Sequence, residues 1–176
     1  MPNYRRAHEG GATYFFTVVT YRRQPILLQA SVLDALRDAF RNVRMTKPFK
    51  LDAVVLLPDH LHSIWTLPPG DSDFGARWGM IKRYVSKTVG QPVNMSQSMQ
   101  ARRECGFWQR RFWEHFIRDD ADYARHMDYI HFNPVKHGYV DNPVDWPHST
   151  FKRCVEKGIY PMDWASGVDN EGEFGE

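Results

Sequence analysis

The chain has 176 residues, of which 42% are hydrophobic, 25% charged and 14% aromatic, with six tryptophans and a formal net charge of +2. No run approaches the roughly 20 apolar residues of a membrane span, and the start Met1-Pro2-Asn3-Tyr4-Arg5-Arg6 lacks the apolar core of a signal peptide, so a cytoplasmic protein is expected. Cys105 and Cys154 have no paired spacing, which argues against a disulfide framework or a zinc knuckle. The net charge conceals an asymmetry: residues 1–118 carry 18 Lys and Arg against 9 Asp and Glu, whereas residues 119–176 carry 5 against 12. A basic body with an acidic end suits a polyanion ligand, the alternative being an unevenly charged soluble surface.

One domain over residues 1–165 is expected, with an acidic, disordered tail over 166–176. An N-terminal arm carrying Arg5 and Arg6 precedes a first strand over residues 14–21, rich in aromatic and β-branched residues and ended by Arg22-Arg23-Gln24-Pro25. Ser31 with Asp34 resembles a capping box, and Leu33, Leu36, Phe40 and Val43 recur at helical spacing, predicting a helix over 32–45. Strands over 51–57 and 60–67 flank a tight turn at Pro58-Asp59. Trp78, Ile81, Val85 and Val89 mark a second amphipathic helix, with Lys82, Arg83 and Lys87 off its apolar stripe. Residues 92–106 read as a mobile connection, residues 107–118 as a loop and fourth strand, and Asp119-Asp120 as the start of a third helix reaching Asn133 or Gly138. The aromatic remainder reads as irregular. The order strand, helix, strand, strand, helix, strand is that of the split βαβ, ferredoxin-like α+β sandwich, with one sheet face open and the third helix additional to it.

His60 and His62 lie one residue apart in the third strand, so both side chains project from one face and could grip a single cation. The alternative is a pair of hydrogen-bonded histidines on an open sheet. On the third helix, Tyr123, Met127, Ile130 and Pro134 fall within a ~60° arc and Asp122, His126, Tyr129, Asn133 and Lys136 within an adjacent ~80° arc, so an apolar stripe lies beside a polar face. Two imidazoles and the Asn133 amide would hold an ion beside Tyr129, a set suited to phosphodiester cleavage by a tyrosine nucleophile. Burial in the core is the commoner fate of such a tyrosine, and Pro134 biases Asn133 away from helical geometry.

Five blocks in order resemble the REP-associated branch of the single-tyrosine HUH transposases. They are residues 11–18 (GATYFFTV), 57–68 (LPDHLHSIWTLP), 112–119 (FWEHFIRD), 128–138 (DYIHFNPVKHG) and 146–151 (WPHSTF). The resemblance implies a divalent ion, magnesium or manganese, held by His60, His62 and Asn133, with Tyr129 as nucleophile. It also implies a nucleoid-associated enzyme that cuts and joins single-stranded DNA at hairpins of repetitive extragenic palindromes, without a small-molecule substrate or a membrane, as monomer or homodimer. Arg5, Arg6, Arg22, Arg23, Lys82, Arg83, Lys87, Arg110, Arg111 and Lys136 are candidate phosphate contacts, and surplus aromatics could stack on bases. Two other classes remain, a hairpin-binding regulator that does not cleave and an RNA-binding protein on the same fold. His115 and His126 read either as outer partners of the site or as ordinary residues.

Overall fold

The computed structural model describes residues 11–90, 96–102 and 106–164. Strands β1 (Thr13–Val19), β2 (Lys50–Leu56), β3 (His60–Thr66) and β4 (Trp113–Phe116) form one antiparallel sheet in the order β2-β3-β1-β4. Helix α1 (Ala30–Thr46) links β1 to β2, and α2 (Phe74–Val89) and the short α3 (Gln97–Ala101) lie between β3 and β4. This is the expected ferredoxin-like core. Helices α4 (Asp120–Lys136) and α5 (Phe151–Glu156) follow it.

Alternation along the strands divides the buried residues between the two faces. Tyr14, Phe16, Val18, Leu61 and Trp65 pack with α1 and α2. Trp65 stacks between Phe49 and Trp78, with ring centroids at 4.2 and 4.3 Å, so truncating it to alanine would cost about 3–5 kcal/mol. The buried Arg77 joins the two helices, donating to both Asp71 carboxylate oxygens and to the carbonyls of Lys47 and Pro48. Its guanidinium holds the Asp71 carboxyl down at about 2.

Phe15, Ala53, Val55 and Ile64 point the other way, into a second core with Met127, Tyr129, Ile130 and Phe151. The face that the ferredoxin-like core leaves open is therefore covered by the additional helix α4 and by α5. Beyond β2, the Leu56 amide donates to the His148 carbonyl and the Thr150 amide to the Val54 carbonyl, so residues 148–150 protect an otherwise unpaired edge.

Several boundaries differ from expectation. β1 stops at Val19, because Thr20–Gln24 form a tight turn in which Arg22 and Arg23 take φ values of 53° and 52°. α1 starts at Ala30 with Gln29 as N-cap: buried Leu27 is tied to the Pro58 carbonyl, which begins the turn early and leaves Ser31 inside the helix. Asp34 pairs with Arg37 instead of serving a capping box. Part of the expected connection is helical, since Ser96 caps α3 and Met99 is buried. α5, in a stretch read as irregular, buries Phe151 and Cys154. The Arg5-Arg6 arm, residues 91–95 and 103–105 of the polar stretch, and the tail lie outside the described residues.

Candidate active site between the sheet and helix α4

Antiparallel register sets Thr17 of β1 opposite His62 of β3 and Val19 opposite His60. Thr17 Oγ1 is hydrogen-bonded to His62 Nδ1 at 2.8 Å, and Asp59, in the turn before β3, to His60 Nδ1 at 2.6 Å. Both rings are thus oriented through Nδ1, as a metal-binding imidazole is oriented by its outer partner. Burial works to raise the Asp59 carboxyl, but the hydrogen bond and charge of His60, with Arg23, overcome it and hold it below the ordinary carboxylate range. Arg23 reaches Asp59 Oδ2 at 3.2 Å. The two histidine rings are 4.9 Å apart.

Asp119 caps α4 by accepting from the Asp122 amide at 2.8 Å, and α4 crosses the sheet with its polar arc inward as far as Asn133, Lys136 being exposed at its end. Asp122, His126, Tyr129 and Asn133 are all buried, as are Met127, Ile130 and Pro134, whereas Tyr123 of the expected apolar stripe is only partly so. The helix continues through Pro134, because the missing amide falls in the last turn, where the His137 amide still reaches the Asn133 carbonyl at 3.0 Å. The Tyr129 ring lies 5.3 Å from His62 and 6.1 Å from Phe15, and Lys136 Nζ is 3.1 Å from the Tyr129 hydroxyl. His60, His62 and Tyr129 therefore meet at one place, with Asn133 one turn further along the same helix.

A second cluster lies on the other side of Phe15. Ligand atoms of His115, Asp122 and His126 fall within 4.8 Å of one another and could hold a metal ion. The Asp122 carboxylate already accepts from His115 Nε2, the Arg118 amide and side chain and the Arg125 guanidinium, at 2.8, 3.0, 3.3 and 2.6 Å. Burial works to raise this carboxyl, and the His115 hydrogen bond, the Arg118 amide and the histidine charges depress it far below its ordinary value. An ion here would compete with two arginines, so this cluster serves better to tie the start of α4 to β4.

The candidate phosphate contacts divide by layer. Arg22 and Arg23 are exposed at the end of β1, and exposed Arg110 and Arg111 follow a segment joined to it through the Gln109 amide and Val19 carbonyl. Lys82 instead straps a loop by donating to the Gln109 carbonyl at 3.0 Å. Arg83 and Lys87 lie on α2, across the sheet from His60 and His62. Sequence reasoning missed Thr17, Asp59, Tyr139 and Trp146; only Asp59, next to His60, carried a local signal.

No family model matches the chain. A REP-associated tyrosine transposase of Escherichia coli strain K12 is 45% identical over 168 residues, covering 96% of this chain and 93% of that protein. A Haemophilus influenzae protein given the same family description is 42% identical over 170 residues and 96% of each chain. The solved structure of a REP-associated tyrosine transposase bound to a REP hairpin superposes with a TM-score of 0.82 at 44% identity, covering 100% of this chain and 98% of that one. Fold and kinship together define a transposase, a DNA-processing enzyme on a ferredoxin-like sheet. The chain belongs to the REP-associated tyrosine transposase family.

Proposed function

We propose that the chain is a metal-dependent endonuclease and strand transferase for single-stranded DNA, acting on palindromic repeat hairpins through a covalent 5′-phosphotyrosine. The observation that carries this reading is the Tyr129 ring 5.3 Å from His62, with Lys136 Nζ 3.1 Å from its hydroxyl. The relative solved with a REP hairpin supports the choice of DNA.

His60 and His62 would hold magnesium or manganese, with Asn133 as third ligand. Bound there, the ion supplies Lewis acidity at a phosphate oxygen. The Tyr129 oxygen forms a bond to phosphorus as the bond from phosphorus to the 3′ oxygen breaks. The phenol proton passes to water and the departing oxygen takes one from water, so the products are a 5′-phosphotyrosine and a free 3′ hydroxyl. Lys136 stabilises the phenolate as its proton leaves. Reattack on the phosphotyrosine by another 3′ hydroxyl rejoins a strand and releases Tyr129. Every group named comes from one chain, so a monomer suffices, while a homodimer remains compatible.

Among the described residues, Arg22, Arg23, Arg110, Arg111 and Lys136 are taken as the phosphate contacts near this site; Arg83 and Lys87 are more remote. One observation favours a second reading, a hairpin-binding regulator that does not cleave: Tyr129 is only 1% exposed.

Labelled single-stranded oligonucleotides carrying the palindromes that flank the gene decide between the two. A labelled protein band on a denaturing gel that needs both Tyr129 and metal supports cleavage. Tight binding without such a band, in magnesium and in manganese, leaves the regulator.

A further inference from the structure

Helix α4 ends in a hydrogen-bonded reversal. The Gly138 amide donates to the Val135 carbonyl and the Tyr139 amide to the Pro134 carbonyl, both at 2.9 Å, with Gly138 at a φ of 72°. A residue at the Tyr139 position commonly packs back on its own helix. Tyr139 instead stacks on Trp146 at 5.3 Å and on His137 at 5.9 Å, both with planes 25° apart, and remains 45% exposed.

Trp146 is fixed by its Nε1, which donates to the Leu56 carbonyl at 3.0 Å. At the other end of the series, His137 meets His60 with ring centroids 5.5 Å apart. A ladder of rings thus runs from a candidate metal ligand to the surface, and the exposed aromatic in it is held by a tryptophan that is itself hydrogen-bonded. Ordering this platform costs a ligand little, because the protein has already ordered it. Burial, with the charge of Asp59, pushes the Tyr139 phenol up.

The geometry points to the exposed side of this ladder, at Tyr139 with His137 and Trp146, as the aromatic surface against which an unpaired nucleobase of the strand whose phosphate reaches Tyr129 packs. This rests on the proposed function and deepens it, since it says where the unpaired flank of the hairpin is held. Stacking of this kind accepts any base, so it fixes the position of the flank while sequence is read elsewhere.

The test uses the full chain with Tyr129→Phe, which binds but cannot form the adduct, in magnesium buffer. Its ligands are the hairpin from beside the gene with its unpaired flank and the same hairpin trimmed blunt, with 2-aminopurine at each flank position in turn. One flank position should be quenched on binding. Tyr139→Ala should restore that fluorescence and weaken the flanked hairpin about ten-fold while leaving the blunt one unchanged, and Tyr139→Phe should behave like tyrosine. No quenching at any position, unchanged flanked affinity in Tyr139→Ala, or equal loss for flanked and blunt hairpins overturns the stacking role while hairpin binding stands. Failure of the Tyr129→Phe parent to bind either hairpin overturns the proposed function and this inference with it.

Discussion

The ammonium of Lys136 sits 3.1 Å from the Tyr129 hydroxyl and 4.9 Å from the centre of the Tyr129 ring. The two residues are seven apart on α4, two turns along one face, so this contact needs nothing beyond the helix itself. An ammonium donating to a phenol oxygen gains strength as that oxygen becomes an anion, which is when a nucleophile needs help.

Lys136→Met should therefore lower the rate of covalent adduct formation by about 10²-fold, within the range for losing a charged donor to a developing anion. Hairpin affinity should fall far less. Gel quantitation of adduct against time, beside a filter-binding titration, separates the two. A parallel loss in both would make Lys136 a phosphate contact alone.

The hydrogen bonds behind the histidines give a metal-affinity prediction independent of DNA. Asp59→Ala and Thr17→Val each remove the partner of one Nδ1. Each should weaken manganese binding by about 10- to 100-fold, as other outer-partner losses do. Calorimetric titration of the free protein with manganese reads this directly. Equal affinities in wild type and both variants would place the ion elsewhere, and the cluster at Asp122 would be the first alternative.

The site was partly legible before the fold was known. Period-two alternation places His60 and His62 on one face, and the helical wheel groups Asp122, His126, Tyr129, Asn133 and Lys136. That the polar arc turns inward could not be read, because the rotation of α4 is set by contacts with residues over a hundred positions away, such as Phe15. Thr17 lies opposite His62 only through the β1–β3 register, which alternation alone does not fix. The ladder ending at Trp146 was hidden for a similar reason, since its residues leave α4 through a reversal and meet only in three dimensions.

His126 should make stability depend on pH above the range of the carboxylates. Burial, the largest influence, pushes its imidazole down to about 4, against an unfolded value of about 6.5. Between those values the unfolded chain binds more protons, so stability rises with pH across the window and falls as pH drops from 6.5 to 4. The depressed Asp122 carboxyl acts lower, its contribution present above its unfolded value of about 4 and lost below. Urea titrations at pH 7, 5.5 and 4.5 should show a declining midpoint in wild type and a flatter profile in His126→Gln, whatever the absolute stability of that variant. Identical slopes would assign the decline to other groups.

Gly138→Ala isolates a backbone cost. The φ of 72° is left-handed, and an added Cβ would meet nothing within 4 Å. Only conformational strain opposes the substitution, so it should destabilise by about 1–2 kcal/mol. For a chain of this size that lowers the melting temperature by roughly 2–8 °C. A much larger drop would reveal a crowding that the open surroundings of Gly138 do not suggest.

Salt dependence distinguishes cations that touch DNA from those that only charge the surface. Arg22 and Arg23 are exposed beside the turn that precedes His60, whereas Arg83 and Lys87 are exposed on α2 behind the sheet. Each phosphate contact to a single strand adds about 0.7 to the slope of log affinity on log salt. Arg22→Gln with Arg23→Gln should then reduce the slope by about 1.4, while Arg83→Gln with Lys87→Gln should leave it nearly unchanged. Binding titrations between 50 and 300 mM salt, on one hairpin for all three proteins, give the comparison. Equal reductions from both pairs would mean that the DNA wraps past the sheet edge onto α2, and the footprint would have to be extended to that layer.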